Sequence, residues 1–323
     1  KVRAAACEAL EEAILAPYAD RARELAPVSA MAAVATMPAV ASGAEDTACA
    51  AATPSPEVCV IAPSPEVARV ATAAGATRVY VASDELGELG SPAPVWPVGS
   101  VPILDEVCRD PEHARIDPWV TAGASVAVGN VSELALAASC GAKAEIRGCI
   151  PIHNAFALDK LERAGAAGVW LSPELTLAEI QTLAPRANVP VGIIVSGRPR
   201  VMTSEHCILQ VANGCIHDCV NCRLRARKLS LKNIDGKVMP VLTDVHGRSR
   251  LYDAYPIDLT PQVPQLLDAG VRRLMVDGTL LEADEIGRAV ARVRRAVEAA
   301  QAGRKPAARL RGATSGCMFV GIS

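Results

Sequence analysis

Between Ser204 and Arg223 the chain reads Ser-Glu-His-Cys-Ile-Leu-Gln-Val-Ala-Asn-Gly-Cys-Ile-His-Asp-Cys-Val-Asn-Cys-Arg, which sets Cys207, Cys215, Cys219 and Cys222 in a C-x7-C-x3-C-x2-C pattern. Four of the chain's eleven cysteines therefore fall close together, with His206 and His217 among them. A cysteine buried for packing needs no partner at short fixed spacing, so the cluster reads as a ligand set. A basic run follows at Arg223, Arg225, Arg227 and Lys228.

Thiolates at this spacing let a loop wrap one inorganic centre, and the Cys219–Cys222 pair has a bite that zinc or an iron–sulfur cluster accepts. Structural zinc sites usually bring two short pairs, whereas Cys207 and Cys215 stand singly, which favours a 4Fe–4S cluster with one thiolate per iron. Zinc stays open as the alternative, as do metal-free thiols and a disulfide set. His217 could join a Cys/His ligand set. His206 could donate a proton or orient a sulfur, or be a loop histidine satisfied by backbone groups. Glu205 could act as acid or base, or only cap the loop.

Such a loop needs a scaffold. With 323 residues the chain can bury a sizeable core. Half the residues are hydrophobic but only 3% aromatic, so Ala, Val and Leu must do the packing, as suits parallel strands alternating with helices. A net charge of -2 gives no global electrostatic case for nucleic acid, and any basic surface is local. No apolar run approaches the roughly 18 to 20 residues needed to span a bilayer. The chain starts at Lys1 without a leader pattern, which predicts a fragment or processed chain, soluble and cytoplasmic.

Residues 1–56 predict a helix from Ala4 to Leu25 and then an Ala, Thr, Pro and Ser-rich linker, with Cys7 and Cys49 idle. From 57 to 323 short apolar runs alternate with helical spacing. The expected strands are Val58–Ala62, Arg78–Ala82, Pro94–Val98, Ser125–Val128, Ala142–Arg147, Gly168–Leu171, Pro190–Val195 and Val271–Val276. Helices are expected at Pro65–Ala74, Ser132–Ser139, Phe156–Ala164, Thr176–Ala184 and Thr260–Ala269, with Gly141, Gly165 and Gly270 as left-handed caps. Eight such strands are the arithmetic of a (β/α)8 TIM-like barrel, with the cysteine loop 204–228 inserted; a doubly wound sheet is the alternative. Without G-x-G-x-x-G after a strand or G-x4-G-K-[ST], nucleotide-binding open sheets lose support.

On a barrel, residues just past the strand ends line the site. Arg198 and Arg200 follow the Pro190 strand, where their forks would suit an anionic substrate such as a dicarboxylate or phosphate, and Arg248 and Tyr252 are similar candidates. Asn130, His153 and Asn154 also follow strands and could orient a substrate, although Asn there is as often a turn residue. Asp277 ends the last strand, and Glu174 is expected to cap the helix starting near Leu175. The basic run 223–232 has no interleaved aromatics for base stacking but could hold RNA phosphates beside the loop.

Several segments resemble the collagenase-like peptidase family, peptidase family U32. They are Leu171-Ser-Pro-Glu-Leu-Thr-Leu177, the stretch from Gly197 through Met202-Thr-Ser-Glu-His-Cys207, Arg248-Ser-Arg-Leu-Tyr252 and Ala269-Gly-Val-Arg-Arg-Leu274. The resemblance runs from about Val58 to the C-terminus. It implies either the peptidase activity for which the family is named or, as in other members, oxygen-independent hydroxylation of RNA bases or quinone precursors by a 4Fe–4S enzyme. Cys207, Cys215 and Cys222 fall on or near family cysteine positions. Many members carry a further cysteine where this chain has Gly247, so Cys219 stands in for it or the set is incomplete. Cys317 occupies a place where His is common in the family.

The expectation that follows is an iron–sulfur enzyme acting on an RNA base or small aromatic compound. A peptidase cleaving peptide substrates is the first rival, although neither H-E-x-x-H nor G-x-S-x-G is present. A non-catalytic barrel with structural zinc is the second.

Overall fold

The computed structural model describes residues 55–82, 96–213, 229–244 and 246–320, together with Cys215, Asp218, Cys219, Asn221, Cys222, Leu224 and a few positions near the start. Two compact units are present, Lys1–Ala52 and Thr53–Ser323. In the first, Ala5, Ala9, Leu10, Glu12 and Ala13 are helical and exposed. Cys7, Cys49, the rest of the expected helix and nearly all of the linker lie outside the described residues, as do His217, Arg223, Arg225, Arg227 and Lys228.

The second unit is a closed barrel. Its parallel strands are β1 (Glu57–Ile61), β2 (Arg78–Ala82), β3 (Val101–Ile103), β4 (Ser125–Val128), β5 (Lys143–Ile146), β6 (Ala166–Trp170), β7 (Val191–Gly197) and, after an insertion, β13 (Arg273–Asp277). Each pairs with the next, and β13 closes the ring between β7 and β1. The helices between them include α1 (Pro65–Ala73), the short α2 (His113–Ile116), α3 (Val131–Cys140), α4 (Ala155–Arg163) and α5 (Leu177–Leu183). Their starts follow from side-chain caps: Ser64, Asn130, Asn154 and Thr176 each accept the backbone N–H three residues on. Gly141 ends α3 at φ 71°, the left-handed cap expected of it.

The expected strand at Pro94–Val98 is displaced. Trp96–Ser100 is coil and turn, closed by the Ser100 N–H on the Pro97 carbonyl, and pairing begins at Val101. Pro97 has no N–H for a ladder and Gly99 takes φ 81°, so this segment favours a turn over a strand.

Strand alternation divides the core in two. Val58, Val60, Val126, Val128, Ile193 and Leu274 point outward and pack under the helices. Among them lies α8 (Ala283–Gln301), whose Ile286, Val290, Val293 and Val297 form one buried stripe, each side chain contributing roughly 1.5 to 3 kcal/mol. Cys59, Tyr80, Val101, Ile103, Ala127, Trp170 and Met275 fill the barrel interior. Trp170 fills it so fully that a Cβ on Gly192 of β7 would overlap the indole ring. Burial pushes the Cys59 thiol and the Tyr80 hydroxyl well above their ordinary ranges.

The insertion after β7 is a second sheet. It comprises β8 (Arg200–Ser204), β9 (Leu229–Lys232), β10 (Val238–Thr243) and β11 (Ser249–Tyr252), all antiparallel in the order β8-β11-β10-β9. The short helix α6 (Ile208–Asn213) leads from β8 into the cysteine loop. After β11 come β12 (Ile257–Asp258), antiparallel to β7, and α7 (Val263–Asp268). Among the described residues no helix is long and apolar enough to cross a membrane.

Candidate functional site

A cavity of about 750 Å³ lies where the C-terminal strand ends meet the inserted sheet. Its apolar floor includes Ile61, Tyr80, Ile103, Trp170, Ile194 and Met275, and the Tyr80 and Trp170 rings meet edge to face with centroids 5.4 Å apart. Its roof comes from β8, β10 and β11, through Arg200, Met202, Leu242, Arg250 and Tyr252. This is the barrel face where catalytic groups gather.

The rim carries Arg–carboxylate pairs that tie barrel to roof. Glu106, in the loop after β3, pairs with Arg147 at 2.9 Å and with Arg200 at 2.8 Å, and accepts the Thr203 hydroxyl at 2.7 Å. Burial works against ionisation of Glu106, but the two guanidiniums and the hydroxyl outweigh it and hold the carboxyl well below the usual range. Asp105 pairs with Arg250, and Arg250 also reaches Asp244 at 2.7 Å. Arg248 is wholly buried behind this rim, bonded to Asp105 at 3.1 Å and Glu112 at 2.5 Å. With no exposed surface it cannot touch a substrate, so its expected catalytic role gives way to locking the roof onto the barrel.

The other sequence candidates divide in the same way. Arg200, Tyr252 and Asp277 line the cavity. Arg198 turns aside to clamp the Asp253 and Ala254 carbonyls. Asn130 and Asn154 cap α3 and α4 and do not line the cavity, so helix initiation accounts for their side chains. His153 sits at the edge, 3.6 Å from Glu174. Glu174 lines the cavity and does not cap α5; Thr176 and Glu179 form that capping box. Glu205 and His206 are exposed and absent from the lining, Glu205 pairing with Arg109 at 2.7 Å.

Asp105, Glu106, Arg147, Cys149, Asp244 and Arg250 are lining residues that the sequence reading missed. A signal existed for two of them, since Asp105 and Glu106 lie just past the end of Val101–Ile103, but the displaced third strand pointed elsewhere.

The peptidase family U32 model matches residues 127–315, more than half the chain. The chain belongs to peptidase family U32. The U32 match takes in the inserted sheet, the cysteine loop, Arg147, Arg200, Tyr252 and Asp277, while Asp105 and Glu106 precede it. Among solved structures, the U32 peptidase Mk0906 is 15% identical, with 45% of this chain and 71% of that chain covered and a TM-score of 0.33. A KDPGal structure is 11% identical over 77% of this chain and 98% of that one, with a TM-score of 0.43. Thiamine phosphate pyrophosphorylase from Pyrococcus furiosus is 12% identical over 76% and 96%, with a TM-score of 0.39. No curated protein matches the chain.

The iron–sulfur centre expected of this U32 chain can be tested against its thiols. Cys207, Cys215, Cys219 and Cys222 are all half-buried. Asp218 accepts both the backbone and the side-chain N–H of Asn221, folding the Cys219–Cys222 pair into a turn. Gly247 adopts φ 80°, and a Cβ on it would stand 3.1 Å from the Cys219 Sγ and 3.7 Å from the Cys207 Cβ. Cys219 thus fills the space that a side chain at 247 would claim, beside Cys207. Among the described residues, however, no three His, Cys, Asp or Glu side chains gather as a metal site. The donor chemistry fits a cluster, and Cys207 and Cys219 both lie beside Gly247.

Proposed function

We propose that this U32 protein is a cytoplasmic enzyme that modifies a small aromatic compound, or a base presented on RNA, in the cavity between barrel and inserted sheet. The carrying observation is the cavity itself: an aromatic floor able to hold a planar group, walled by charged and hydrogen-bonding side chains and roofed by the inserted sheet. Arg200 and Arg147, fixed by Glu106, orient the ligand, and Trp170 and Met275 exclude solvent from beneath it. An iron–sulfur cluster held by Cys207, Cys215, Cys219 and Cys222 would supply electron transfer. Zinc on the same thiols is the alternative. A purely structural barrel has less support, because Arg200 lines a formed cavity.

Anaerobically purified protein is expected to contain iron and acid-labile sulfide, both reduced in Cys219→Ala. Colourless protein with stoichiometric zinc ends the cluster part of the reading. Filling the floor with Ala127→Phe is expected to abolish any single-oxygen mass gain that the wild type produces in host RNA or aromatic metabolites, and an unchanged product pattern ends the cavity part.

Family membership favours a peptidase as the second reading. His206 and Cys207 do not supply a nucleophile–base pair within the cavity, since neither lines it. Cleavage of gelatin that survives iron removal and disappears in Asp277→Asn would favour this reading over the first.

A further inference from the structure

Most charges around the cavity are already matched. Arg147 and Arg200 share Glu106, and Arg250 is held by Asp105 and Asp244. An anion entering beside Arg147, Arg200 or Arg250 would compete with the carboxylates that already hold them, and a buried unpaired charge is costly. Tyr252 and Asp277, both buried in the lining, keep open bonding positions. Tyr252 is 4% exposed, and its hydroxyl bonds to no described residue. Asp277 is 7% exposed; its Oδ1 accepts the Thr279 N–H at 3.0 Å and the Thr279 hydroxyl at 2.5 Å, while Oδ2 accepts no bond from a described residue.

Both groups line the same cavity. Burial first, and then the Asp277 charge, push the Tyr252 phenol up to about 12, so it stays protonated and can donate. Burial likewise raises Asp277, against the Thr279 bonds and the charges of Arg200 and Arg147. Buried polar groups are nearly always hydrogen-bonded, so a donor and an acceptor left open toward one cavity mark the place of a ligand.

Resting on the cavity reading above, we propose that Tyr252 and Asp277 recognise an uncharged amide-like edge, the Tyr252 hydroxyl donating to its carbonyl oxygen and Asp277 Oδ2 accepting its N–H. The ring or chain bearing that edge lies on the Trp170 and Met275 floor. This replaces the anionic ligand expected from Arg198 and Arg200 with a neutral one, because the Arg200 charge is held by Glu106 and Arg198 faces away.

Benzamide, benzoate and benzylamine share a ring and differ in the charge of the head group, so they serve as probes in ligand-detected NMR titrations of the full chain. Benzamide is expected to bind wild type at least about tenfold more tightly than either charged probe, and to weaken about tenfold in Tyr252→Phe and in Asp277→Asn. Circular dichroism confirms that each variant is folded. Benzoate or benzylamine binding as tightly as benzamide, or benzamide affinity unchanged in Tyr252→Phe, overturns the assignment while leaving the cavity a ligand site. Failure of all three probes to bind wild type overturns the assignment and the cavity reading together.

Discussion

The barrel carries buried ionic clusters at both ends, and they differ in what they leave open. At the N-terminal end, Glu145 takes Arg78, Arg273 at 3.3 Å and the Tyr80 hydroxyl at 2.5 Å, while Arg273 reaches Glu57 at 2.6 Å. Glu145 is 2% exposed at its side chain, and both of its oxygens are bonded. At the C-terminal mouth, Glu106 and Asp105 are equally engaged, but Tyr252 and Asp277 beside them face a cavity with bonding capacity in hand. A buried Arg is therefore no evidence of a substrate site. What separates structure from function here is a polar atom with an open bonding position that a ligand can reach.

The sharpest break of this contrast is Glu145→Ala, which leaves Arg78 and Arg273 without their shared carboxylate. It is expected to cost about 3 to 5 kcal/mol in urea denaturation. A loss under about 1 kcal/mol would mean that the closed end is not structural.

Arg248→Met comes next, because it strips a buried charge from Asp105 and Glu112 while Arg250 and His246 still face those carboxylates. A loss of roughly 3 kcal/mol is expected, with faster hydrogen exchange in β8–β11 than in the barrel strands. Uniform acceleration over both would show that the roof is not separately held.

Glu133 tests a buried carboxylate that has no guanidinium bonded to it. Its Oε2 accepts the Gly129 N–H, its Oε1 has no partner, and burial pushes its pKa from 4.5 up to about 7. A carboxyl whose folded pKa is raised adds stability below its unfolded value, and that stability is lost as pH rises through the folded one. Wild type should weaken between pH 4.5 and about 7, whereas Glu133→Gln should stay level there and exceed it by on the order of 1 to 3 kcal/mol at pH 8. Parallel pH profiles would refute this.

The smallest stability effect belongs to Tyr252→Phe. Removing a hydroxyl with no protein partner should leave stability within about 0.5 kcal/mol of wild type, or raise it slightly. A loss above about 1 kcal/mol would show that the mouth hydroxyl is bonded within the protein, like the groups at the closed end.

Much of the barrel was legible because short apolar runs and glycine-closed helices are local signals; Arg78–Ala82 and Ser125–Val128 are found as expected. The third strand was missed where a proline–glycine turn resembles an apolar run, and with it went Asp105 and Glu106. The roof was illegible for another reason: β9 and β10 expose most of one face and carry weak alternation, so their pairing depends on partners distant in sequence.

Residue order alone determined the alternation that closes the barrel, the candidate thiol ligands, and the presence of Arg, Tyr and Asp near strand ends, because each depends on neighbours a few positions apart. Only the tertiary structure decided which of them a ligand can meet. Arg198 and Arg248 look like Arg200 in the chain, yet one clamps carbonyls, one is sealed in the wall and one lines the cavity. Exposure and charge pairing are set by contacts such as Asp105 with Arg248, 143 residues apart, and no local pattern encodes such a contact.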